Sequence, residues 1–250
     1  MSNKKPAGNS NSKKKAQAAT AAMQGKKDKQ RRTVIQIGVA VVLIALIAVI
    51  GFNIASSDSS DETATPAATP SAVTEDGAIR IGDPDADVVV TAVEDFQCPA
   101  CKQFEAISGD TLSELVADNT IAVEYKPIAI LDRASSTNYS TRAANAGFCV
   151  ADADISAWPA WHEAMFEQQP AEGGAGLSDE DLIGIAQLLD IEGPNLESCI
   201  TDGTYTDFVA AQTQDVLDSG VTGTPTVSVN GTVVSNPTPD GLRAAIADAQ

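Results

Sequence analysis

The 22 residues from Thr33 to Ile54 carry no charge, and only Thr33, Gln36 and Asn53 interrupt their apolar character. At helical rise such a run is about 33 Å long, the thickness of a bilayer's hydrocarbon core. It constrains the chain more than any other feature, because it divides it into an amino part and a carboxyl part that a bilayer would keep apart. Ten of the 16 basic residues lie in residues 1–32 with a single acid, Asp28, for a net +9; the rest of the chain carries −27. Basic flanks stay in the cytoplasm, so the amino end is expected inside and the carboxyl part outside. A cleaved signal peptide competes with this reading, but its apolar stretch is shorter and ends in a small-residue cleavage site, for which Ile54-Ala55-Ser56 is a poor match. Segment 33–54 therefore reads as a transmembrane signal anchor.

Residues 1–32 are too poor in apolar side chains to offset their ordering entropy and read as a disordered cytoplasmic tail. Residues 55–77, rich in Ser, Thr, Ala, Pro and acids, read as a flexible tether, with folded structure expected over 78–250. The overall charge of −18 argues against nucleic acid as a partner.

Beyond the tether, Ile79–Ile81 reads as a short strand and the β-branched run Asp87–Val93 as a buried central one. A helical pattern runs from Cys98 to Asn119, then a strand over Ile121–Ile130. About 137–220 the pattern is helical only, with helices over Ala143–Val150, Trp158–Glu167, Asp179–Leu189 and Tyr205–Asp218 and a further one at Asn195–Ile200. Thr226–Val229, Asn230-Gly231 and Thr232–Val234 form a hairpin with a preferred two-residue turn, and Pro239–Ala249 is a closing helix. The expectation is a mixed α/β sheet interrupted by an all-helical insertion.

The chemistry concentrates at Cys98-Pro99-Ala100-Cys101. A cysteine at a helix amino terminus faces unpaired N–H groups and the positive end of the helix dipole, both of which favour thiolate. Cys101 lies one turn on, within reach of a disulfide, and Pro99 suits the first turn. Cys98 is thus the expected nucleophile and Cys101 the resolving thiol. A zinc site would need further ligands, and only Cys149, Cys199 and the single histidine, His162, remain, none in a second paired motif; neither metal nor cofactor is expected. A second signal is Gly223-Thr224-Pro225-Thr226, where a proline enters a strand, the setting in which a cis peptide occurs and leaves the Thr224 backbone free to pair with an extended peptide. An ordinary strand-start proline is the alternative.

Taken together, VEDFQCPAC, WPAWHEAMFEQQ and VTGTPTVSVNG resemble three landmarks, in order, of DsbA-like thiol–disulfide oxidoreductases of bacterial cell envelopes, over about residues 78–250. The resemblance implies a thioredoxin fold with an inserted helical domain, Cys98 and Cys101 as the redox pair, and Pro225 as the cis-proline beside them with Thr224 before it. His162 matches a common family position and reads as structural. Two departures matter. Many relatives carry a buried acid six residues before the nucleophile, where this chain has Ala92; Glu94 and Asp95 are closer, but neither takes a proton-transfer role from sequence. Strong oxidants often carry His where this chain has Ala100, so the thiolate of Cys98 is expected to rest mainly on the helix terminus.

If the CxxC cysteines pair, Cys149 and Cys199 remain as a structural disulfide that an exported location permits; two buried free thiols are the alternative. Asn138-Tyr-Ser and Asn230-Gly-Thr match the glycosylation pattern and neither is assigned. The expected activity is a membrane-anchored, extracytoplasmic thiol–disulfide oxidoreductase forming disulfides in exported cysteine-containing proteins and reoxidised by a membrane redox partner. A reductase or isomerase of the envelope, or a non-catalytic module reusing the fold, are the alternatives.

Overall fold

Strand β2 (Val89–Glu94) is central because five of its six residues are apolar or β-branched, so both faces can be covered. The structure, a computed structural model, describes residues 67–250; the basic tail, the apolar segment 33–54 and most of the acidic stretch lie outside the described residues. Among the described residues no helix is long and apolar enough to cross a membrane.

Five strands form one mixed sheet in the order β1-β3-β2-β4-β5, where β1 is Ile79–Ile81, β3 Ala122–Pro127, β4 Thr226–Val229 and β5 Thr232–Val233. β2 runs parallel to β3, and a parallel neighbour requires a crossover, supplied by helix α1 (Pro99–Ala117). On its other side β2 pairs antiparallel with β4, which places Ala92 opposite both Tyr125 and Val227. β3 is shorter than its apolar run suggested. It ends at Pro127, after which Ala129 donates to the Thr213 hydroxyl instead of to a strand.

Between β3 and β4 the chain forms a 3₁₀ turn and helices α2 (Tyr139–Ala153), α3 (Trp158–Glu167), α4 (Asp179–Leu188), α5 (Leu196–Thr201) and α6 (Thr206–Asp218), with no strand. Helix α7 (Pro239–Asp248) closes the chain. One apolar cluster runs from Val90 and Val123 of the sheet through Phe104 and Leu112 of α1 to Trp158 and Trp161 of α3 and Leu182 of α4, so sheet and helical segment share a core. The β4–β5 turn uses positive φ at Asn230 and Gly231, as its tight reversal requires. Asn230 also reaches back to the start of β2, accepting from the Val89 N–H at 2.8 Å and donating to the Asp87 carbonyl at 3.1 Å.

Ordered contacts begin earlier than Ala78. The Ala72 N–H donates to Asp152 Oδ1 at 2.8 Å, and Val73 bridges to Ile79. Segment 71–77 is fastened by α2, a helix whose proximity no local pattern around residue 72 records.

Candidate active site

Cys98 caps the amino end of α1 with extended backbone (φ −78°, ψ 117°), and Pro99 occupies the first turn, where a missing N–H costs nothing. Both Cys98 and Cys101 carry free thiols and both are buried, Cys101 completely. Their environments push them in opposite directions. The Cys98 thiol is lowered to about 5, chiefly by the Cys101 thiol, then, against the opposing cost of burial, by Thr224 and by the Cys101 and Ala100 N–H groups. Burial, the Cys98 sulfur and the nearby Glu94 carboxylate drive the Cys101 thiol far above the ordinary range. The helix terminus expected to dominate at Cys98 therefore ranks behind its own partner thiol. Sequence spacing places Cys101 one turn along but cannot rank its effect on Cys98 against that of the helix terminus.

Thr224 and Pro225, 126 residues away in sequence, arrive beside the thiols because β4 pairs with β2. The Thr224–Pro225 peptide is cis, and the Cys98 thiol donates to the Thr224 carbonyl at 3.3 Å. Cys149 and Cys199 stand apart from this pair: they are bonded to each other, with Cα atoms 5.8 Å apart, linking α2 to α5.

Three surrounding residues were not legible as a group. Glu94 is buried at the end of β2 on the same face as Ala92, two residues nearer the thiols, and its Oε2 lies 3.0 Å from Nε2 of His162. Its carboxyl is raised to about 8, mainly by burial. His162 stacks on Trp158, ring centroids 4.6 Å apart, and also contacts Tyr125 and Phe166. Asp95 points the other way. Its carboxylate accepts from the Gln97 N–H, the Ser140 hydroxyl and the Leu131 N–H, bracing the loop before Cys98. Gln169, just past α3, donates to the Phe96 and Cys98 carbonyls. Nothing in an isolated Gln-Gln pair signals that contact. Lys102, next after Cys101, donates from its ammonium to the Glu167 carbonyl at 3.0 Å.

A mixed sheet carrying an acidified thiol at a helix amino terminus, a second buried thiol one turn on and an adjoining cis-proline defines a thioredoxin-fold protein with a dithiol site. A family model described as thioredoxin matches residues 74–248. The chain resembles the reduced form of the disulfide bond oxidoreductase DsbG from Mycobacterium tuberculosis, with 37% identity and a TM-score of 0.63 over 69% of this chain and 86% of that one. It also resembles oxidised M. tuberculosis DsbA, with 38% identity and a TM-score of 0.61 over 69% of this chain and 92% of that one. A curated relative, the serine/threonine-protein kinase PknE of M. tuberculosis, is 34% identical over 173 residues, 64% of this chain; the match spans 30% of the length of that relative. The chain belongs to the DsbA-like thiol–disulfide oxidoreductases of the thioredoxin family.

Proposed function

We propose that the protein is a membrane-anchored, extracytoplasmic oxidase that forms disulfides in exported proteins through Cys98 and Cys101. A substrate thiolate attacks Cys98 Sγ of the enzyme disulfide, and Cys101 departs and takes up a proton. A second substrate thiol then displaces Cys98 as thiolate. The substrate loses two electrons, the enzyme gains them as a dithiol, and a membrane redox partner must remove them. Thr224 and Pro225 form the wall against which the substrate segment lies, Cys149–Cys199 is a structural bridge in the helical insertion (about 137–220), and segment 33–54 is the anchor between a cytoplasmic tail and the tether.

The observation that carries this reading is the opposite displacement of the two thiols. A Cys98 thiol lowered to about 5 stabilises the reduced enzyme, which makes its disulfide a good electron acceptor. The deciding measurement is the redox potential of the pair. A value near about −120 mV supports the oxidase, whereas one near about −270 mV would make the protein a reductase. Oxidation of a reduced, unfolded substrate should require Cys98; equal rates from wild type and Cys98→Ser would discard the enzymatic reading altogether.

A further inference from the structure

We propose that Glu94, Glu105 and His162 form a binding site for a divalent cation of the zinc type, entered from the cleft between α1 and α3. The three side chains come from β2, α1 and α3, and one ligand atom from each lies within 4.8 Å of the other two. His162 Nε2 is 3.0 Å from Glu94 Oε2, and His162 Nδ1 is 4.0 Å from Glu105 Oε2. The side chains are nearly sealed from solvent, at 5% exposure for His162 and Glu94 and 11% for Glu105.

The independent sign of a ligand is what these carboxylates lack. Oε1 of Glu94 and Oε1 of Glu105 are both buried with no hydrogen-bond partner. Among the described residues neither carboxylate meets a lysine or arginine; His162 is the only basic group on either. Buried carboxylate oxygens are costly unless a donor or a cation answers them.

The donor set selects the ion. One imidazole nitrogen with carboxylate oxygens suits zinc and its neighbours, whereas magnesium and calcium take oxygen alone. Zinc holds such ligands at about 2.0–2.2 Å, so adjacent donor atoms stand roughly 3 to 3.5 Å apart. The His162–Glu94 contact already has that spacing, and Glu105 needs only a small closing movement. Glu105 and His162 both line a cleft of about 490 Å³, which supplies an entry path and leaves a coordination position open. Stacking on Trp158 fixes the imidazole plane. The cysteines take no part, which is why a search for zinc ligands paired along the sequence passes over this site.

The test uses the detergent-solubilised full chain, without an affinity tag and with both cysteine pairs oxidised, so that no thiol can bind metal. Titration calorimetry with zinc chloride should show one equivalent bound, with calcium and magnesium chloride giving weaker binding or none. Because His162 is the only histidine in the chain, its ring-proton resonances should shift on zinc addition. Glu105→Gln should weaken zinc binding by at least about tenfold while its metal-free melting temperature and circular dichroism match those of wild type. Absence of stoichiometric zinc binding, unmoved histidine resonances, unchanged affinity in Glu105→Gln, or calcium binding tighter than zinc would each overturn the site.

Discussion

The side-chain amide of Gln169 donates to the backbone carbonyl of Cys98 at 2.9 Å and to that of Phe96 at 3.0 Å, so a residue just past α3 holds the loop that presents the Cys98 thiol. Gln169→Ala takes this donor from the Phe96 carbonyl, leaves the Cys98 carbonyl with only the Cys101 and Lys102 N–H groups, and removes the side chain that spans from the end of α3 to this loop. The expected loss is about 1–2 kcal/mol of stability, read as a lower denaturant midpoint. Thiol exchange should slow several-fold, and Gln169→Glu, which has no amide to donate, should behave like the alanine variant.

The pH response of Cys98 comes from its depressed titration. In the unfolded chain the thiol titrates near about 8.5; in the folded reduced protein it titrates near about 5. The thiolate therefore contributes stability to the reduced form that is present above the unfolded value and is lost as pH falls through about 5. Thiolate absorbance should titrate with a midpoint near about 5, and the advantage in melting temperature of reduced over oxidised protein should shrink from about pH 8 toward pH 5. Ala100→His places a further positive group beside the sulfur and should lower the midpoint and raise the redox potential. No downward shift in that variant would mean that the Cys101 thiol already saturates the effect.

Cys149→Ser removes a cross-link between residues 50 apart in sequence, worth about 4 kcal/mol in the chain-entropy model. The melting temperature should fall by many degrees while Cys98 keeps its thiolate titration, because the bridge joins α2 to α5 away from the redox pair. Mass mapping of the oxidised protein should recover the peptide pair containing both residues.

The orientation assigned to segment 33–54 is checked by protease accessibility. Protease added to intact spheroplasts should digest residues 78–250 and spare the tail, and a protected carboxyl domain would reverse the assignment.

The place of the two CxxC thiols in the fold was legible in the sequence because it is local. Two cysteines three apart before a helical pattern specify a thiol at a helix amino terminus with a partner one turn away, whatever the rest of the chain does. The strand and helix order was legible for the same reason, since periodicity is a property of neighbouring residues: Trp158–Glu167 is the helix its pattern indicates. Boundaries set by distant partners were not, as at β3, where the apolar run continues to Ile130 but the ladder stops at Pro127. The electrostatics of the site belong wholly to the tertiary structure. Glu94 and Glu105 become high-titrating acids only because β2, α1 and α3 converge and exclude water around them, and His162 meets both carboxylates only across that convergence. A side chain's type is written in the sequence. The dielectric around it, and the neighbour that answers its charge, are fixed only when segments 68 residues apart, such as Glu94 and His162, are packed against each other.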